Sequence, residues 1–155
     1  EHDEEHYHEM MVQVPLAYHP QATHGLVIGG GDGGSLRQML KHANIESVTM
    51  VEIDEMVVNL SRRHFPMMAE AFADPRTHLV FENGATWLQE RLWEIGNGTA
   101  RDALGGPFDV IVIDSTDYGN ALPLFSSSFY ASIKRLLKPN GIVTFNVDSP
   151  SWTLS

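Results

Sequence analysis

At 155 residues, 43% of them hydrophobic and 19% charged, the chain is long enough for one globular domain with a genuine core. Ten basic against twenty acidic residues leave a formal charge of −10, which argues against nucleic acid or an anionic membrane as partner. There is no cysteine, so disulfides and thiolate metal sites are excluded, and no stretch approaches the length of a membrane span. No signal-peptide pattern opens the chain, so the expected location is cytoplasmic.

Taken in chain order, residues 7–18 predict a short helix broken by Pro15, ahead of a turn at His19-Pro20. Strands are expected at about 25–29, 47–53, 78–82, 108–114 and 142–146. Helical patterns fall between them, at 35–42, 55–65, 85–95 and 128–137. Pro66 ends the second of these, because its ring cannot continue the hydrogen-bond ladder. Gly141 is expected where the fourth helix turns into the last strand. The loop at 96–106 is polar and carries no evident chemistry. Strands that alternate with helices and read as unbroken apolar runs imply an α/β fold, doubly wound around a mostly parallel sheet covered on both faces.

The run Leu26-Val-Ile-Gly-Gly-Gly-Asp-Gly-Gly-Ser35 joins an apolar strand to a helix through five glycines and one acid. Gly29, Gly31 and Gly34 fit the spacing of a nucleotide-binding turn, where glycine permits close backbone approach to a ligand. Val48-Thr-Met-Val-Glu-Ile-Asp54 is a second strand, and its Glu52 lies about 20 residues further on, where a ribose hydroxyl pair needs an acceptor. Asp32 is the odd member. A carboxylate in that loop repels phosphate but suits a cationic ligand, such as a sulfonium nucleoside carrying an amine; it also has the chemistry of a cap for the helix that follows.

Ligands of such sheets bind beyond the carboxyl ends of the strands. Those ends carry Asp32, Glu52, Asp54, Asn83, Asp114 and Asp117. Asp54 is expected to cap a helix. Asp114 and Asp117 can face one pocket, and carboxylates that close are stable together only with a cation between them or with one protonated; a turn former is the plainer role for such a pair. His2, His6 and His8 alternate with acids, but without a defined scaffold this spacing does not make a metal site, and none is expected. Met10, Met11, Met67 and Met68 are expected to fill core gaps, and Trp87 and Trp93 to pack.

The runs Tyr7-His8-Glu9-Met10, Val14-Pro15-Leu16, Gly29-Gly-Gly-Asp-Gly-Gly34, Val51-Glu-Ile-Asp54 and Asp114-Ser-Thr-Asp117 together resemble the polyamine aminopropyltransferases, the spermidine synthases above all. The resemblance extends from about residue 3 to residue 141. It implies a Rossmann-like fold of the S-adenosylmethionine-methyltransferase type and transfer of an aminopropyl group from decarboxylated S-adenosylmethionine to putrescine. The products are then spermidine, 5′-methylthioadenosine and a proton. No cofactor is bound permanently, decarboxylated S-adenosylmethionine being a co-substrate; the partners are a small polyamine and a nucleoside, and the resemblance implies a homodimer or higher homo-oligomer.

It also implies roles for particular residues. Asp114 is the general base and Asp117 helps bind the diamine. Asp32 takes the amine of the aminopropyl arm, while Tyr7 and His8 line the polyamine channel. Glu52 holds the ribose hydroxyls beside the turn of Gly29 and Gly31, Asn83-Gly84 meets the adenine edge, and Pro123 lies beside the nucleoside. The chemistry agrees. Putrescine is a dication at neutral pH, so one nitrogen must lose a proton before it attacks, and a carboxylate must accept that proton.

Three features depart from the family pattern. Asn83 stands where an aspartate is usual, and its carbonyl oxygen is expected to accept from the adenine amine without charge, giving weaker binding. The segment Asp117-Tyr-Gly-Asn-Ala121 lacks two prolines usual there, which loosens the loop flanking the amine site. Residues 1–155 form a single nucleoside-binding catalytic domain that is expected to be a fragment, without an N-terminal β-rich segment and C-terminal elements of the family. The competing readings are an S-adenosylmethionine-dependent methyltransferase, which the acid at Asp32 opposes, and a non-catalytic polyamine- or nucleoside-binding relative.

Overall fold

The computed structural model of the chain describes residues 2–99, 106–115 and 126–146. Among the described residues, five strands and six helices follow one another as α1(His2–Tyr18), β1(His24–Gly29), α2(Gly34–Leu40), β2(Ser47–Glu52), α3(Glu55–His64), α4(Pro66–Ala73), β3(Thr77–Phe81), α5(Gly84–Asn97), β4(Phe108–Asp114), α6(Ser127–Leu136) and β5(Leu137–Phe145). The strands form one parallel sheet in the order β3-β2-β1-β4-β5. The chain therefore winds outward from β1 to β3, returns to the other side of β1, and continues to β5. The strand order reverses between β1 and β4, and this crevice is the topological switch point where ligands of such sheets bind.

Two apolar layers hold the sheet between helices. Val27, Val48, Met50, Val110 and Val112 face one way and pack with Met11, Val12 and Leu16 of α1, Leu36 and Met39 of α2, and Val58 and Phe72 of α3 and α4. Their strand neighbours Leu26, Ile28, Val51, Ile111 and Ile113 face the other way, against Trp87, Leu88 and Leu92 of α5 and Phe129, Ile133 and Leu136 of α6. Alternation of this kind with both faces apolar is what the apolar runs Leu26-Val-Ile28 of β1 and Val110-Ile-Val-Ile113 of β4 require. The doubly wound α/β expectation is met.

Several local expectations are corrected. Helix α1 runs through Pro15 without a break. The proline leaves the carbonyl of Met11 without its helical donor, and the Thr144 hydroxyl of β5 supplies one instead at 2.9 Å. Pro66 does separate two helices, but it also opens α4, a helix not anticipated, at the first helical position where a missing N–H costs nothing. Gly141 lies inside β5, which starts directly from α6; the pairing jumps from Phe108↔Leu137 to Val110↔Ile142, so residues between form an irregular excursion. Trp87 is buried, whereas Trp93 is 66% exposed, because roughly a turn and two-thirds along α5 carries it off the packed face. Met11 and Met68 pack in the core, but Met10 and Met67 are exposed. Among the described residues no helix is long and apolar enough to cross a membrane.

Candidate active site

The switch point brings the glycine turn after β1 against the end of β4. Gly29 has φ 83°, and a Cβ there would run into the carbonyl of Asp114, so only glycine lets the two strand ends lie this close. The Gly30 N–H donates to that same carbonyl at 2.9 Å. Asp114 is thereby fixed at the mouth of the crevice, with its side chain buried.

Helix α1 delivers two further side chains to this point. The Tyr7 hydroxyl donates to Asp114 Oδ1 at 2.6 Å. Burial, then the hydrogen bond to that carboxylate, pushes the Tyr7 phenol well above its ordinary value, so it stays protonated and acts as a donor. His8 Nε2 stands 3.1 Å from Asp32 Oδ2 and 3.8 Å from Asp114 Oδ2. Its imidazole occupies the space a Cβ on Gly34 would need, so the glycine run makes room for the protein's own histidine. A cleft of about 590 Å³ opens beside Tyr7, lined also by His6, Met10, Met11, Thr144, Phe145 and Asn146.

Asp32 meets the start of α2, as foreseen for a capping acid. One oxygen accepts the Gly34 N–H at 3.0 Å, while the other faces His8. Burial raises its proton affinity, but the hydrogen bonds from His8 and Gly34 outweigh that and hold the carboxyl below its ordinary value. His8, Asp32 and Asp114 place one ligand atom each within 4.8 Å of one another. Such a set can receive a cation, a metal ion or an alkylammonium alike, although both Asp114 oxygens already accept hydroxyl donors.

The second hydroxyl donor is Ser35, whose Oγ lies 2.7 Å from Asp114 Oδ2 and is fully buried. Sequence reasoning missed this residue. Its only signal was a hydroxyl at the start of a helix that follows a glycine turn, which by itself reads as a cap.

Glu52 ends β2 on the other side of β1. It is buried, one oxygen accepts the Asp54 N–H at 2.9 Å, and Gly31 of the turn lies beside the other. Asp54 caps α3 as expected, accepting the Met56 N–H at 2.8 Å. Asn83 caps α5: its Oδ1 accepts from Ala85 N at 3.0 Å and Thr86 N at 3.2 Å, with Gly84 at the first helical position.

Comparison with known proteins decides the family. The spermine/spermidine synthase domain model matches residues 4–155. The chain belongs to this family. A polyamine aminopropyltransferase of Thermoanaerobacter pseudethanolicus is 40% identical over 151 residues, covering 97% of this chain and 50% of that protein. One from Moorella thermoacetica is 42% identical over 149 residues, covering 96% of this chain and 48% of the relative. The chain spans about half the length of the curated relatives it matches. The solved spermidine synthase from Thermotoga maritima superposes with a TM-score of 0.77 at 35% identity, over 93% of this chain and 44% of that one. A spermidine synthase in complex with the transition state analogue AdoDATO gives 0.72 at 36% identity, over 85% of this chain and 41% of that one.

Within this spermidine synthase-like frame, the structure gathers Tyr7, His8, Asp32 and Asp114 into one cluster at the switch point. Gly29, Gly31, Glu52, Asn83 and Gly84 lie along the neighbouring strand ends. Asp117 and Pro123, and the altered loop between them, lie outside the described residues. One expectation needs correction: the Asn83 carbonyl oxygen, assigned to a base amine, is already occupied by two backbone N–H groups of α5.

Proposed function

We propose that this domain carries the nucleoside- and amine-binding half of an aminopropyl transfer from decarboxylated S-adenosylmethionine to a diamine, putrescine foremost. The observation that carries the reading is the pair Asp32–Asp114, both within 4 Å of one histidine nitrogen at the switch point. Two carboxylates so close call for a cation, and both substrates are cationic.

Glu52 accepts the ribose hydroxyls, next to the turn of Gly29 and Gly31, and the Asn83-Gly84 helix start meets the base. Asp32 holds the amine of the aminopropyl arm, while Tyr7 and His8 border the amine channel. Asp114 takes a proton from the attacking ammonium. The freed nitrogen lone pair then bonds to the propyl carbon next to sulfur. The carbon–sulfur pair returns to sulfur, and neutral 5′-methylthioadenosine leaves. The sulfonium already activates that bond, so the protein supplies alignment and a proton acceptor. Asp117 as a second amine ligand, Pro123 beside the nucleoside, homo-oligomeric assembly and a cytoplasmic location complete the proposal.

Calorimetric titration tests it. Decarboxylated S-adenosylmethionine and 5′-methylthioadenosine should bind more tightly than S-adenosylmethionine, whose carboxylate meets Asp32. Equal or tighter binding of the carboxylated nucleoside would sink the reading in favour of a methyltransferase.

A further inference from the structure

The two buried carboxylates of β4 are held in different ways. At one end Asp109 accepts from Lys138 Nζ at 2.8 Å and from the N–H groups of Thr23 and His24, so its counter-charge is built in. At the other end Asp114 rests on two neutral hydroxyls, Tyr7 on Oδ1 at 2.6 Å and Ser35 on Oδ2 at 2.7 Å. A hydroxyl fixes a carboxylate oxygen without cancelling its charge, which leaves Asp114 its attraction for an arriving ammonium. The two donors are not equivalent. Tyr7 is half-buried and borders the cleft, whereas Ser35 is fully buried and reaches the carboxylate from inside the fold. Helix α2 does not need the Ser35 hydroxyl as a cap, because its first N–H, that of Gly34, is met by Asp32 Oδ1 at 3.0 Å.

Resting on the role of proton acceptor proposed above for Asp114, we infer that Ser35 is a positioning residue for the transfer, its buried hydroxyl fixing the plane of the Asp114 carboxylate and keeping Oδ2 off His8. The imidazole Nε2 stands 3.8 Å from that oxygen and 3.1 Å from Asp32 Oδ2. With the hydroxyl in place Oδ2 is satisfied, and His8 is left to Asp32. Without it a buried oxygen has lost its donor, and the carboxylate gains by turning toward the imidazole. That turn takes the acceptor away from the attacking nitrogen. A base must sit within hydrogen-bond reach of the proton it removes, and misplacement by about 1 Å can cost about 10²-fold in rate.

The test compares Ser35→Thr with Ser35→Val, two side chains of the same shape that differ in the hydroxyl, beside Ser35→Ala and Asp114→Asn. Release of 5′-methylthioadenosine from decarboxylated S-adenosylmethionine at saturating putrescine gives kcat, measured well below each variant's melt. Titration of 5′-methylthioadenosine gives the nucleoside affinity. Ser35→Val and Ser35→Ala should lower kcat by about tenfold or more and leave nucleoside affinity within about twofold of native. Ser35→Thr should keep kcat within about threefold of native. A side chain needed only for packing would treat the two branched variants alike, so equal kcat in Ser35→Thr and Ser35→Val overturns the inference. If Ser35→Val does not fold, Ser35→Ala decides, and a kcat within about threefold of native overturns the inference. When Asp114→Asn is slow in the same assay, such a failure is confined to Ser35 and the base assignment stands. A native-like Asp114→Asn, or a native protein without turnover, overturns that assignment and the inference with it.

Discussion

Replacing Asp114 by Asn separates the proton acceptor from the scaffold that holds it. The native carboxylate accepts hydroxyl donors from Tyr7 at 2.6 Å and Ser35 at 2.7 Å. Bonds to a charged acceptor contribute roughly 1.5–3 kcal/mol each, and neutral ones about 0.5–1.5 kcal/mol. Asparagine keeps an oxygen for Tyr7, and its NH2 can donate to Ser35 Oγ once that hydroxyl turns, so both contacts persist in weaker form. The stability loss should be about 1–3 kcal/mol, and each kcal/mol lowers Tm by roughly 2–4 °C in a domain of this size. Turnover should fall much further, by about 10²–10⁴-fold, the range for loss of a general base. The assay is release of 5′-methylthioadenosine from decarboxylated S-adenosylmethionine at saturating putrescine, with a thermal melt and a nucleoside titration on the same samples. Nucleoside affinity should hardly change, because Glu52 and Asn83 sit on other strand ends. A folded Asp114→Asn protein turning over within about threefold of the native rate would refute the assignment. So would a loss confined to KM, paired with an inactive Asp117→Asn; the two roles would then be exchanged.

Glu52→Gln should weaken nucleoside binding by roughly 1.5–3 kcal/mol, since a charged acceptor for the ribose hydroxyls is lost; unchanged calorimetric affinity would move the ribose elsewhere. Asp109, at the opposite end of β4, tests the scaffold. Burial raises its proton affinity, but Lys138 Nζ at 2.8 Å and the N–H groups of Thr23 and His24 outweigh this and bring the carboxyl from 3.8 to about 2. Because the folded value is depressed, its stabilisation is fully present above about pH 4 and is lost as pH falls through about 2. Asp109→Asn should therefore melt lower than the native protein by about 2 kcal/mol at pH 7, with the difference closing between about pH 4 and 2. A gap that persists at pH 2 would show that the ion pair is not its source.

The amino-acid order alone settled the alternation of strands and helices, the parallel sheet and the acids at its strand ends. These follow from signals a few residues long: unbroken apolar runs, glycine turns and caps such as Asp54. It also associated Tyr7 and His8 with the acids at the strand ends, through the likeness of the Tyr7–Met10 run to a family. Only the tertiary structure decided what these residues touch. Tyr7 meets Asp114 across 107 positions and Ser35 meets it across 79, contacts set by which strand lies beside β1. The unbroken α1 likewise depends on Thr144, a residue 133 positions from the carbonyl it satisfies. Asn83 shows the boundary within one side chain. Its identity as a polar group at a strand end was legible, but that its oxygen is spent on the first turn of α5 was settled only by the fold. Local periodicity reports how a segment folds on itself; a hydrogen bond between distant segments exists only once the sheet order has brought its two ends together.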